Sequence, residues 1–323
     1  MTKTLIGIGN AAIDGMVDVP SDSTLHDLQL TKGACVFAGN DDPRMQRVFD
    51  MFPNYIKDAG GAAANAICSY AALGGQSRFI GKTGYDDHGD FFTKSMRQYG
   101  IAFDTPPTKE TQSTFLFAVV TPDKERSFLS NHGASHYISG KDVKEEWFTS
   151  GTTLIIDGYM LMSDGGPDAL FTAIKYAKKH GSETIFMPCS LTVIKEKSDY
   201  IQKIVPNADA VICNEEEALG FTQTDDITDI QSHFDWGVVT LGSRGAYYFT
   251  KDTNGVIPIP STPDIIINTN GAGDNFAGGL LYGLHNGLSI EKSVKLGQLC
   301  AIHVIGRDGA RCATSLKHFL EEL

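Results

Sequence analysis

From about residue 150 onward the chain alternates short apolar runs with helical stretches, and that rhythm limits the fold more than any single motif does. Thr153–Ile156 reads as a strand and Ala169–His180 as a helix; Thr184–Met187 is again a strand and Ser198–Val205 a helix. Ala210–Cys213 and Gly237–Leu241 read as further strands, with a short helix over Glu215–Phe221 between them. Parallel strands need a crossover connection, and a helix supplies it on one face of the sheet or the other. The expected architecture is therefore α/β, a mostly parallel sheet covered on both faces.

The front of the chain departs from this rhythm. Leu5–Gly9 reads as an opening strand, but a helical pattern first appears at Pro43–Phe52. Thr114–Val120 and Arg126–Ser130, separated by TPDKE, read as a β-hairpin. These strands fall outside the main sheet and are read as a small lid, inserted from about residues 15–40 and 110–135. No internal repeat, low-complexity tract or Pro/Ser-rich linker interrupts the chain, so residues 1–323 are read as one domain.

Charge and cysteine usage exclude several classes of function. The balance of 27 basic to 39 acidic residues gives −12, which argues against nucleic acid or an acidic membrane as partner. A small anionic ligand needs only a few local donors and stays open. Six scattered cysteines with no Cys-x-x-Cys pair read as reduced thiols. No apolar run reaches the ~18 residues of a membrane span, and the apolar part of MTKTLIGIGN is too short for a secretory signal. A cytoplasmic protein is the expectation.

The most telling local feature is NTNGAGDNFAGGLLYGL at residues 268–284. The β-branched run Asp264–Ile267 before it reads as a buried strand ending, and Phe276, Leu280, Leu281 and Leu284 after it recur at helical spacing. The glycines leave backbone N–H groups bare at a helix N-terminus, where the orphan donors and the helix dipole favour an anion. Asp274 sits among them, and a carboxylate there repels a phosphate unless it has chemistry to do.

Other motifs are weaker alone. GIGNAAIDG at 7–15 lacks the third glycine of a dinucleotide fingerprint, since position 12 is Ala12. Asp14 lies just past a first strand, where open α/β sheets bind ligands and a carboxylate accepts from paired hydroxyls; a solvated turn aspartate reads equally well. GGQSRFIGKT at 74–83 encloses five residues between Gly75 and Gly81 where a P-loop needs four, so it is rejected as one. Gly60 and Gly61 open an alanine-rich helix, which permits close approach of backbone to a ligand, and Asn65 in its first turns is poorly explained by helix propensity. Asn214 and Glu217, one turn apart in CNEEEALGF, either serve the helix dipole or hold hydrated Mg²⁺. Thr240, Gly242 and Gly245 in VVTLGSRGAYYF form a turn able to wrap phosphate or ribose, or a plain hairpin-like turn.

Together and in this order, these pieces resemble the ribokinase-like (PfkB-type) family of carbohydrate and nucleoside kinases. NTNGAGDNFAGG and GGAAANAICSYAALGG match its two signatures, NEEE and TLGSRG its metal-linked and nucleotide-binding motifs, and the correspondence runs from Gly9 to about Gly309. GNAAID, NTNGAGD and RSFLSNHGAS are most similar to segments of adenosine kinases. The resemblance implies a Rossmann-like α/β/α sandwich with a small β lid, and ATP-dependent phosphorylation of a primary hydroxyl with Mg²⁺. It makes Asp274 the general base and Gly271, Ala272 and Gly273 the anion hole. Arg126 becomes the lid arginine that closes over phosphate. Asn10, Asp14, Gly60, Gly61 and Asn65 become substrate contacts, Thr240, Gly242, Gly245 and Asn270 nucleotide contacts, and Asn214 and Glu217 metal contacts through water.

Two departures stand out. Asn268 occupies a position that is usually Asp and that helps order a monovalent-cation site in relatives, which counts against activation by K⁺. Val193 stands where base-stacking adenosine kinases tend to carry Phe. The expected acceptor is a nucleoside, adenosine first, with a free sugar such as ribose, fructose or a keto-deoxy sugar acid as the nearest rival. A non-catalytic nucleoside or ATP sensor is the rival of another class, and monomer and homodimer both stay open.

Overall fold

The structure, a computed structural model, describes residues 3–123, 125–260 and 266–323. In the first half, β1 (Thr4–Ile8) runs into β2 (Ala12–Asp18), followed by α1 (Ser23–Asp27), β3 (Cys35–Ala38), α2 (Pro43–Met51) and β4 (Ile56–Ala59). Then come α3 (Ala62–Ala72), β5 (Gln76–Ile80), α4 (Asp87–Gln98), β6 (Ala102–Phe103), β7 (Thr114–Val120) and β8 (Arg126–Asn131). The second half brings β9 (Thr152–Asp157), α5 (Gly166–His180), β10 (Glu183–Met187), α6 (Leu191–Glu196), α7 (Ser198–Ile204), β11 (Ala210–Asn214) and α8 (Glu215–Thr222). It ends with β12 (Trp236–Thr240), β13 (Ala246–Phe249), β14 (Asn254–Ile257), α9 (Ala272–His285) and α10 (Ile290–Ile305).

Among the described residues the strands form two sheets. The large one runs β14-β13-β12-β11-β10-β9-β1-β5-β6, parallel from β12 to β6 and antiparallel at β13 and β14. Its central strands are apolar on both faces, as a doubly covered parallel sheet requires. On β9, Leu154 and Ile156 face a core with α5, whereas Ile155 between them faces the core built on α3, α9 and α10. All three are fully buried.

The small sheet, β3-β8-β7-β2-β4, is the lid. The β7–β8 pair is the antiparallel hairpin read from the sequence, but one lid strand begins before the expected segments and another falls outside them. The lid strand β2 starts at Ala12 and follows β1 after three residues, and β4 at Ile56–Ala59 pairs with it. The sequence IKDA carries two charges in four residues and no periodic apolar signal, so nothing in it announces a strand.

A second correction concerns the approach to the glycine loop. Ile266 and Ile267 are 62% and 45% exposed and belong to no strand, so they are not the end of a buried one. Asp264 and Ile265 lie outside the described residues. The chain is held there by the N–H groups of Ile267 and Asn268, both donating to Ile305 O at the end of α10. Among the described residues the thiols of Cys68, Cys189, Cys213, Cys300 and Cys312 are free, and no helix is long and apolar enough to cross a membrane.

Candidate active site

The carboxyl ends of β1, β9, β10, β11 and β12 open onto a cavity of about 550 Å³, the place where open α/β sheets hold ligands. Asn10, Asp157, Cys189, Asn214 and Thr240 lie at or just past those strand ends. The lid contributes Phe37, Leu116, Phe128 and Ser130, and the start of α9 contributes Gly271 to Asp274.

Gly271 begins α9 in the left-handed region, at φ +74, where a Cβ would also lie 2.5 Å from Ala310 O. Ala272 N–H leans to Thr269 O at 3.3 Å, while among the described residues nothing accepts from the N–H groups of Gly271, Gly273 and Asp274. The bare backbone donors at this helix start are thus those of Gly271, Gly273 and Asp274 itself, while Ala272 is engaged in the turn. Asp274 meets Asn65 of α3, whose Nδ2 donates to Oδ2 at 3.1 Å. Burial pushes the Asp274 carboxyl up to about 7; the Asn65 bond opposes this, and the Asp157, Glu217 and Asp14 carboxylates add to it.

Asp14 also lines the cavity and is raised to about 7, by burial first and then by Asp58, against the pull of Arg311. The glycine pair accounts for this closeness. A Cβ on Gly60 would lie 2.4 Å from Asp14 Oδ2, and one on Gly61, at φ +98, would lie 2.2 Å from Asn10 O. Both glycines therefore make room for neighbouring protein groups at the rim of the cavity. Asn10 brings a buried Oδ1 without a protein partner into the same wall.

Asn214 and Glu217 line the cavity and bond each other as a capping box. Asn214 Nδ2 donates to Glu217 Oε1 (2.9 Å), Asn214 N to Oε2 (3.1 Å), and Glu217 N to Asn214 Oδ1 (2.8 Å). Among the described residues no three His, Cys, Asp or Glu side chains cluster as a metal site. One carboxylate of the cavity lining, that of Glu217, fits a magnesium that keeps most of its water. Thr240 and Asn270 line the cavity, whereas Gly242 and Gly245 stand in the turn beyond Thr240 and are not part of its wall. Lys82 of the rejected P-loop pairs with Asp142 at 2.6 Å.

Arg126 does not line this cavity. It lines an adjoining one of about 670 Å³ under the same lid, continuous with the first at Asp14, Leu116, Phe128, Asn270 and Ala310. Asn268 lies there too, with Nδ2 donating to Arg307 O (2.8 Å) and Gly309 O (3.2 Å) and Oδ1 accepting from Asn270 N (2.8 Å).

Sequence reasoning passed over three residues of this region. Phe37 of β3 is 49% exposed in the cavity mouth and stacks on His132 at 5.3 Å and 6°. Asp157 is fully buried, its Oδ2 against Gly9, where a Cβ would come within 2.7 Å. Arg311 is 5% exposed and contacts Asn65 and Gly60. A cation set between Ala310 and Cys312 was the available signal for the last. Val193, conversely, is buried in the core with α5, so the residue type there says nothing about the cavity.

A lidded sandwich with its cavity at the strand ends is shared with kinases. The family model for pfkB family carbohydrate kinases matches residues 50–316, which include the glycine pair, the lid hairpin, Asn214, Glu217 and the Asp274 loop. The chain is a phosphotransferase that uses an alcohol group as acceptor. It belongs to the pfkB family, and its fold is ribokinase-like. It is 27% identical over 286 residues to 5-dehydro-2-deoxygluconokinase of Bacillus subtilis (strain 168), covering 83% of this chain and 87% of that one. Two solved structures superpose with TM-scores of 0.89 at 27% identity, each covering 100% of this chain and 99% of the other: a probable sugar kinase from Rhizobium etli CFN 42 and the adenosine kinase from Sinorhizobium meliloti.

Proposed function

We propose that the protein transfers the γ-phosphoryl group of ATP to the primary hydroxyl of a nucleoside, with adenosine the favoured acceptor. The observation that carries the nucleoside over a free sugar is Phe37, an exposed aromatic ring at the cavity mouth, with Phe128, His132 and Tyr159 in the lining of the same cavity. A purine presents a π face that can stack on such a ring. Burial and the neighbouring His136 charge hold His132 down at about 4, so its ring is neutral at pH 7.

In this reading Asp274 takes the proton from the hydroxyl as its oxygen attacks the γ-phosphorus and ADP leaves. The N–H groups of Gly271, Gly273 and Asp274 face the charge that develops on the transferring group. Asp14 and Asn10 accept from the ribose hydroxyls, and Thr240 and Asn270 contact the nucleotide. Mg²⁺, held through water by Asn214 and Glu217, neutralises phosphate charge when bound. Lid closure brings Arg126 toward the phosphates and excludes water. The expected compartment is the cytoplasm.

A second reading has its own support. Lys57, Lys94, Arg126, Arg307 and Arg311 line the adjoining cavity with three acids, Asp14, Asp58 and Asp308, and among the described residues none of the five cations is in an ion pair. In a chain of net charge −12 that concentration suits the carboxylate of a keto-deoxy sugar acid, the class named for the Bacillus relative. ADP release with Mg·ATP against adenosine, inosine, guanosine, ribose, fructose and 5-dehydro-2-deoxygluconate separates the two. Turnover of adenosine at micromolar concentration supports the first reading. Turnover of the sugar acid alone replaces it with the second. Silence on every acceptor with ATP binding intact points to the sensor instead.

A further inference from the structure

Arg311 follows α10, and its guanidinium reaches three acceptors on separate segments. Nε donates to Asn65 Oδ1 at 3.3 Å, Nη1 to Ser95 Oγ of α4 at 2.6 Å, and Nη2 to Gly60 O at 3.1 Å. The guanidinium also lies over the ring of Phe92, 4.9 Å from its centroid. The side chain thus touches Asn65, the residue that touches Asp274.

The chemistry of an amide makes that contact directional. Asn65 has a donor end and an acceptor end, and arginine has donors only, so the amide oxygen must face Arg311. The NH₂ end is thereby turned to the opposite side, where it donates to Asp274 Oδ2. With the amide reversed, two oxygens would meet and the carboxylate would swing away.

We infer that Arg311 is a positioning residue for phosphoryl transfer, fixing the Asn65 amide in the one orientation that holds Asp274 toward the acceptor hydroxyl. The inference rests on the reading of Asp274 as general base. The same guanidinium anchors the Gly60 carbonyl beside Asp14, so one side chain ties both ends of the acceptor site together. Its charge is faced by Asp14 and Asp58, both of which it draws toward the ionised form against burial.

The test uses the full chain with Mg·ATP and adenosine, and ¹⁵N NMR of the Asn65 side-chain NH₂, assigned by its loss in Asn65→Asp. Arg311→Met is expected to lower kcat roughly ten- to hundred-fold, the scale of a displaced catalytic group, with the KM for ATP unchanged. Asn65→Ala should lose as much, and the double variant no more than the larger single loss. Arg311→Lys, which keeps charge but not the fork, should recover part of it. Should Arg311→Met fail to fold, Ser95→Ala removes one anchor far from Asp274 and should still lower kcat. In wild type the Asn65 NH₂ protons should be protected from solvent exchange, and in the Arg311 and Ser95 variants less so. Independent, additive losses in kcat, or an NH₂ signal unmoved by these substitutions, would overturn the inference. That signal is readable whatever the acceptor proves to be. An active Asp274→Asn would instead strike the general-base reading while leaving the amide orientation standing.

Discussion

Asn65 on α3 and Asp274 on α9 are 209 residues apart in sequence and 3.1 Å apart in space, with the amide donating to the carboxylate. One turn further along, Ser69 Oγ donates to Asn275 Oδ1 at 2.5 Å, and Asn275 Nδ2 returns to Gly271 O (2.7 Å) and Ala310 O (2.9 Å). The carboxylate is therefore held by two packed helices whose crossing is itself hydrogen-bonded. A group on such a frame sits where the packing puts it, which is what a positioned base requires.

Asp274→Asn keeps the size and the acceptor oxygen for Asn65 but cannot take a proton. Loss of a general base costs about 10²–10⁴-fold in rate, so kcat should fall by that order while calorimetric ATP binding stays as in wild type. Retained turnover would remove Asp274 as the base.

The raised carboxyls give a pH dependence of defined sign. With Asp274 at about 7, kcat/KM for the acceptor should climb as pH passes through about 7; a rate flat down to pH 5 would mean the carboxylate is ionised throughout. Stability runs the other way. Asp14 and Asp274 hold protons in the fold up to about 7 that the unfolded chain releases near 3.8. Their burial is thus harmless near pH 4 and increasingly costly toward pH 7, by a few kcal/mol in order of magnitude. Asp14→Asn should stabilise the protein at pH 8 and hardly at pH 4 in urea unfolding. An equal shift at both pH values would contradict this.

Phe37→Ala tests the observation on which the nucleoside reading rests. Stacking of a base on an aromatic ring contributes roughly 1–3 kcal/mol, so the KM for adenosine should rise about five- to hundredfold with the KM for ATP unmoved. An unchanged KM would shift the stacking role to Phe128 or Tyr159, or remove the base from this wall.

Gly61→Ala combines a left-handed backbone with a blocked Cβ, 2.2 Å from Asn10 O. Left-handed strain alone costs roughly 1–2 kcal/mol in a residue with a Cβ, so the urea midpoint should drop by more than that strain accounts for. A midpoint within error of wild type would mean that the loop between β1 and β2 yields freely.

What the sequence made legible follows from how local each signal is. The β-α-β rhythm fixed the strands β9 to β12 to within a residue or two, because buried parallel strands are apolar runs and their helices are periodic. The lid hairpin was equally local. By contrast, β4 carries Lys57 and Asp58 in four residues and exists only because β2 lies beside it. The Ile266–Ile267 pair misled for the opposite reason: β-branched residues suggest a strand, but among the described residues no strand pairs with them. In the site, Asp274 and Asn65 were marked by sitting where their residue type was poorly explained, and Asp14 only by lying just past a first strand. Arg311 belongs to the cavity only through the return of the chain after α10, and Phe37 only through the lid's closure over the sheet. Neither fact is written within a dozen residues of either side chain.

Asn268 bears on the monovalent cation. Its NH₂ donates to Arg307 O and Gly309 O, so two carbonyls that could ligate K⁺ already have neutral donors, and the carboxylate that would attract the ion is missing. These residues do not fit a bound potassium, and turnover should be the same in KCl, NaCl and choline chloride at equal ionic strength. Asn268→Asp reverses the argument. A carboxylate accepts only, so it would face both carbonyls without a donor between them, and a cation would relieve the repulsion. The variant should turn over poorly in choline chloride and recover as K⁺ is added. If wild type responds to K⁺, or the variant does not, the amide is not what replaces the ion.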